Sequence, residues 1–200
     1  MNRGGMAFTM KSVGIVLVLL AACALSCVFA ARELDEVDSK SNTLHVPDAI
    51  RVPSGYKLHL ILCAEGDQYY QYNGTSWVDY AAKAKLLNRE KKVIGRHFYL
   101  SHPDHLGGQP SWETLPSKGV PESLVTGVVV ETTTVDENSI QWVLLKATNN
   151  SGDKKYLGEV VYIQRINTSK GLGPTSTSGA HKGDVQTSSY TSDYAFYIRN

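Results

Sequence analysis

In the run Gly158-Glu159-Val160-Val161-Tyr162-Ile163-Gln164-Arg165-Ile166-Asn167-Thr168-Ser169-Lys170-Gly171-Leu172-Gly173-Pro174, apolar residues occupy both alternating sets of positions. Val160, Tyr162 and Ile166 alternate with Val161 and Ile163, the pattern of a strand with apolar groups on both faces. Glycine and proline then end it in a shaped turn. Gln164 and Arg165 interrupt the pattern. An arginine this deep in an apolar strand needs a carboxylate, a row of carbonyls or a ligand anion, because an unpaired buried charge is costly. Asp193 and Glu159 are the expected ion-pair partners.

Working outward, strand-like segments recur with turn signals between them. They read as Lys57–Ala64, Gln68–Tyr72, Ser76–Tyr80, Val93–Leu100, Leu124–Thr133, Ile140–Ala147, Tyr156–Asn167 and Tyr190–Ile198. Asn73-Gly74 marks the clearest hairpin. In the last segment Tyr190, Ser192, Tyr194, Phe196 and Ile198 share one face, and Tyr194 and Phe196 are expected to point inward. Ala81–Asn88, rich in helix formers, is expected to make one or two helical turns. There is no repeated strand–helix alternation and no internal repeat. The expected fold is all-β, an antiparallel sandwich or barrel of about eight strands with one long loop and little helix.

The chain of 200 residues has 42% hydrophobic and 20% charged residues and a net charge of +1. Residues 1–30 read as a signal peptide, with Arg3 and Lys11 ahead of the apolar run Val13–Ala24 and Val28-Phe29-Ala30 before cleavage. Loss of that leader removes two cations and no acid, which takes the net charge to −1 and gives nucleic acid no basic patch to bind. The run is too short for a stable membrane span. Leu20-Ala21-Ala22-Cys23 resembles a bacterial lipobox, which would make Cys23 a lipid anchor. The sequons at Asn73, Asn149 and Asn167 instead suit a glycosylated protein secreted to the extracellular space, apoplast or cell wall. Residues 31–45 read as a flexible lead-in and 46–200 as one β-rich domain. With Cys23 and Cys27 gone, Cys63 is the one cysteine left and reads as a buried thiol.

The expected binding loop is Ser101–Pro121, whose length and composition suit a lid or binding loop. His97, Trp112 and Glu113 beside it, with Gln164 and Arg165, form the expected ligand site. His97, His102, His105, Asp104 and Glu113 include metal-ligand types, but their spacing matches no zinc motif, and no metal or cofactor is expected. Gly171-Leu172-Gly173 opens no helix and so is not a dinucleotide loop. Trp77, Trp112, Tyr69, Tyr70, Tyr72 and Tyr80 could stack on sugars. Trp142, by contrast, reads as core. The residues point to a binding or structural module for a saccharide or small molecule, with a hydrolase using Glu113 and His97, or a weak metal site, as the alternative. They set no oligomeric state.

Several motifs carry a family resemblance: Gly66-Asp67-Gln68-Tyr69-Tyr70, Trp77, Gly95-Arg96-His97, Pro110-Ser111-Trp112-Glu113, Ile140-Gln141-Trp142-Val143-Leu144-Leu145, Tyr162–Thr168 and Tyr190–Tyr197. In this order they resemble a family of secreted proteins of unknown function from plants, fungi and bacteria, some of whose fungal members are labelled malate dehydrogenase. The resemblance implies an extracellular single-domain protein and brings no established activity. The dehydrogenase label has no support in these residues. Family members often carry cysteines where Tyr72 and the Thr175–Ser178 loop stand here, so the resemblance implies that a disulfide is missing from this chain.

Overall fold

The computed structural model describes residues 44–200; the expected signal peptide, the lipobox-like stretch and most of the expected lead-in lie outside them. Eight strands run in chain order: β1 Tyr56–Tyr72, β2 Trp77–Leu87, β3 Val93–Tyr99, β4 Pro110–Thr114, β5 Ser123–Thr133, β6 Trp142–Gly152, β7 Tyr162–Lys170 and β8 Val185–Arg199. Each is antiparallel to the next, and β1 also pairs with β8 from Tyr56↔Arg199 to Gln71↔Val185. The sheet therefore closes on itself as a barrel, which leaves no unpaired edge. The two 3₁₀ turns, Asp48–Ile50 and Pro116–Lys118, are the only helical elements among the described residues.

Two sequence expectations are corrected here. Ala81–Asn88 forms no helix: Ala82, Ala84 and Leu86 alternate with Lys83 and Lys85 along β2, and pairing on both sides with β1 and β3 overrides the helix propensity of alanine and lysine. The region Ser101–Pro121 is not one loop. Pro110–Thr114 crosses its middle as β4, so its two halves lie at opposite ends of the barrel.

One end, the mouth, carries the connections 73–76, 100–109, 134–141 and 171–184. The other, the base, carries 88–92, 115–122 and 153–161. Alternation sends one set of side chains into the barrel and the other outward. Near the base the interior is apolar and fully buried, with Leu62, Leu86, Val125, Leu157, Val160, Ile163 and Phe196. Tyr194 and Phe196 point inward, as the alternation of β8 predicts.

A second apolar cluster lies on the outside. Ile50, Leu144, Ile166, Ala195 and Tyr197 pack together there with Leu44, Val46 and Val52 of the segment before β1. Trp142 is partly buried against this outer cluster rather than in the barrel core. Cys63 is half-buried on the outer side, opposite Asp193 in the register.

Candidate functional site

Inward positions near the mouth mix polar and charged groups with apolar ones. Asp79, His97, Tyr99, Pro110, Trp112, Val129, Thr132, Gln141, Val143, Leu145, Arg165 and Tyr194 line a cavity of about 150 Å³ that opens to solvent. The register explains how they converge. Arg165 faces Val143 on β6 and Tyr194 on β8, while His97 faces Trp112 on β4. On β2 a bulge inserts Tyr80 between the residues paired with Tyr69 and Tyr70, which brings Asp79 opposite Tyr70.

Arg165 is half-buried. Its Nε and Nη2 donate to the carbonyl oxygen of Gln141 at 3.1 and 3.0 Å. Among the described residues it forms no ion pair. The expected partners are elsewhere: Asp193 faces outward and accepts from Asn167 Nδ2 at 2.9 Å, and Glu159 pairs with Lys154. The carboxyl that shares the cavity with Arg165 is Asp79. Solvent reaches Asp79 through the mouth, but burial on its barrel side pushes its pKa up to about 6, opposed by the charge of Arg165 and a backbone N–H at Ala81.

His97 is buried and stacks on Trp112, with centroids 4.7 Å apart and planes at 19°. Its Nδ1–H donates to the Ser111 carbonyl at 2.8 Å. Burial, which outweighs that hydrogen bond, pulls its pKa down to about 3, and the charge of Arg165 acts in the same direction. The ring is therefore neutral at ordinary pH. Trp112 is 1% exposed, with Tyr194 edge-on at 5.1 Å, and its indole N–H has no acceptor in the protein.

The phenols of the mouth stay protonated. Burial is the first cause of the raised pKa of Tyr70 (to about 12), Tyr99, Tyr190 and Tyr194. Tyr70 donates to the Gly171 carbonyl at 2.7 Å. The glycines that end β7 allow this approach: Gly171 has φ +85°, and a Cβ on Gly173 would stand 2.7 Å from the Tyr70 ring. The Gly171-Leu172-Gly173 loop thus packs on a tyrosine, at the end of an antiparallel strand.

Of the five expected ligand residues, His97, Trp112 and Arg165 line this cavity and Glu113 and Gln164 do not. Glu113 lies on the outer face of β4 and pairs with Arg96 at 2.5 Å. Gln164 is buried outside the barrel, where its Nε2 donates to the Ile50 carbonyl at 2.7 Å and its Oε1 accepts from the Tyr197 hydroxyl at 2.6 Å. Adjacent residues of a strand face opposite ways, so Gln164 and Arg165 cannot share a site. Asp79, Tyr99, Gln141 and Tyr194 are members that sequence reasoning missed. Asp79 had a usable signal, since it shares a face with Trp77 two residues earlier.

The metal-ligand types do not converge either. Asp104 accepts from the backbone N–H of Leu106 and Gly108 and from the Thr148 hydroxyl, and so shapes the β3–β4 connection. Among the described residues no three His, Cys, Asp or Glu side chains could hold a metal ion, and no helix is long and apolar enough to cross a membrane. At the base, a second hollow of about 420 Å³ lies between β1 and the 88–92 turn. It is walled by Leu58, Leu60, Ile94, Val120 and Tyr156.

Fold and cavity together define a closed eight-stranded antiparallel barrel with an apolar base and a polar, arginine-bearing mouth. Residues 53–198 match a protein family of unknown function, DUF3455, and the chain belongs to that family. No curated protein and no solved structure matched the chain.

Proposed function

We propose that this protein is a secreted binding module that holds a small molecule in the mouth of its barrel. The observation that carries the reading is Arg165, a half-buried guanidinium in an open cavity whose partners are the Gln141 carbonyl and the Tyr194 hydroxyl, with no carboxylate in ion-pair contact. Asp79 shares the cavity but forms no ion pair with the guanidinium, and a half-buried cation with no carboxylate in contact is costly in a fold that must be stable alone. It makes sense where a ligand supplies the missing partner.

A small molecule fits better than a saccharide stacked on Trp112. One face of that indole is covered by His97, and the edge-on rings of Tyr194 and Phe196 pack around it. Hydrolysis by Glu113 and His97 has no geometric basis, because the two side chains lie on opposite sides of the barrel wall and His97 Nδ1 is held by a carbonyl. Secretion rests on the leader-like residues 1–30 and the sequons. Asn73 stands exposed at the β1–β2 hairpin tip, a position that suits a glycan.

A thermal-shift screen of the purified protein against organic acids, neutral aromatics, saccharides, nicotinamide nucleotides and divalent metals tests the reading. A ligand at a hundredfold above its Kd adds about 2.7 kcal/mol, a shift of several degrees. The expected hit is a small molecule whose shift disappears in Arg165→Gln. Shifts that arise only from saccharides or metals, and that survive Arg165→Gln, would overturn the mouth as the binding site.

A further inference from the structure

We infer that the ligand of the mouth is a small organic acid built on a single planar ring, with its carboxylate on Arg165 and its ring against the apolar wall. The inference rests on the mouth being the binding site and adds the chemical class.

The first argument is the balance of donors and acceptors. A guanidinium offers five N–H donors in a planar fork that matches a carboxylate. Here Nε and Nη2 share the Gln141 oxygen. Two phenols stand in the same cavity, Tyr99 and Tyr194, the Tyr194 hydroxyl also lying 3.3 Å from that of Tyr190. A site rich in donors selects a group rich in acceptors, and a carboxylate accepts from guanidinium and phenol together.

The second argument is size and wall. Pockets for drug-sized ligands run to about 300–1,000 Å³, whereas this cavity has about 150 Å³, room for one ring and its substituents. Val129, Val143 and Leu145 form an apolar side and the Tyr99 ring an aromatic one, which suits a flat ring better than a flexible chain.

The third argument is charge. The titratable and charged groups that line the cavity are Asp79 from β2, His97 and Tyr99 from β3, Arg165 from β7 and Tyr194 from β8, with Tyr70 of β1 and Tyr190 of β8 within electrostatic reach of Arg165. β4, β5 and β6 present only Pro110, Trp112, Val129, Thr132, Val143 and Leu145, with Gln141 just before β6. Between pH 5 and 8 the phenols and His97 are neutral, Arg165 is charged, and Asp79 alone changes state. A bound anion would repel ionised Asp79, so acid uptake is accompanied by protonation of that carboxyl and tightens as pH falls.

Calorimetric titration of the purified protein with benzoate and with its neutral isostere benzamide tests this. Benzoate is expected to bind at least about tenfold more tightly than benzamide, the difference a charge-assisted bidentate pair makes. It should also tighten by up to about tenfold from pH 7.5 to 5.5, with no such change in Asp79→Asn. Arg165→Gln should abolish the preference. Arg165→Lys, which keeps charge and bulk but loses the fork, should weaken benzoate several-fold while melting like the wild type, which separates lost recognition from lost folding. Benzamide binding as tightly as benzoate, or benzoate affinity unchanged in both arginine variants, would overturn the acid assignment. If neither compound binds while another screened molecule shows an Arg165-dependent shift, the acid assignment fails and the mouth remains the site. If no screened molecule depends on Arg165, both fail.

Discussion

At the base of the barrel the inward positions of the long strands hold Leu62, Leu86, Val125, Ile163 and Phe196, all fully buried. Toward the mouth, alternation turns Tyr70 of β1, His97 of β3, Arg165 of β7 and Tyr194 of β8 inward, and the bulge in β2 brings Asp79 in beside them. The base is packed as a core is packed, where burial of each large apolar side chain stabilises by about 1.5–3 kcal/mol. The mouth keeps an open cavity with a charge in it, which a fold selected for stability alone would fill with hydrocarbon. One barrel thus separates the half that holds it together from the half available to a ligand.

The sharpest way to break this division is at Trp112, where the halves meet. Trp112→Ala removes a side chain stacked on His97 and packed against Tyr194 and Phe196. It should cost about 3–5 kcal/mol in denaturant unfolding. Leu62→Ala, wholly in the base, should cost about 2–5 kcal/mol and leave ligand binding unchanged. A loss below 1 kcal/mol at Leu62 would mean that the base is not the stabilising half.

A smaller effect compares neighbours in sequence. Gln164→Leu leaves the Ile50 carbonyl and the Tyr197 hydroxyl without their partner outside the barrel and should cost about 1–3 kcal/mol, with binding in the mouth intact. Arg165→Gln should change stability by less than about 1 kcal/mol and abolish binding, since the Gln141 carbonyl and Tyr194 hydroxyl it serves can bond instead to solvent or to the glutamine amide. If the two substitutions exchanged these outcomes, the inside and outside of β7 would have been assigned the wrong way round.

The sequence made the strands legible because alternation and turn residues act locally. The Tyr190–Ile198 alternation, the Asn73-Gly74 hairpin and the punctuation after β7 all stand in the structure as read. β4 stayed hidden because five residues between prolines and glycines carry too short a pattern, and their strand state comes from β3 and β5 on either side. Residues 81–88 read as helix in the sequence because alanine and lysine favour it when isolated. In β2 the small Ala82 and Ala84 fit a crowded interior, to the point that a Cβ on Gly66 would meet Ala84 at 2.4 Å. Three of the five expected site residues proved to share a cavity. Gln164 and Glu113 were grouped by nearness in sequence, although strand parity separates each from its neighbour, and Asp79 faces inward through a bulge that composition does not announce.

The smallest expected effect concerns the same contrast through pH. Two mouth groups pull stability in opposite directions. His97 has its pKa lowered to about 3 in the fold, so its contribution is present at neutral pH and is lost as pH falls from about 6.5 toward 3. Asp79 has its pKa raised to about 6, so the fold favours its protonated form, and the associated stability is lost as pH climbs from about 4 through 6. Asp79→Asn removes the second dependence and leaves the first. The variant should melt with the wild type near pH 4 and be more stable by about 1 kcal/mol at pH 7.5, less than a two-unit shift alone would give because solvent reaches this carboxyl. Thermal melts of both proteins across that range read the difference directly. Parallel curves would mean that Asp79 is solvated as a surface carboxylate is, and the mouth would lose the electrostatic character that distinguishes it from the rest of the exterior.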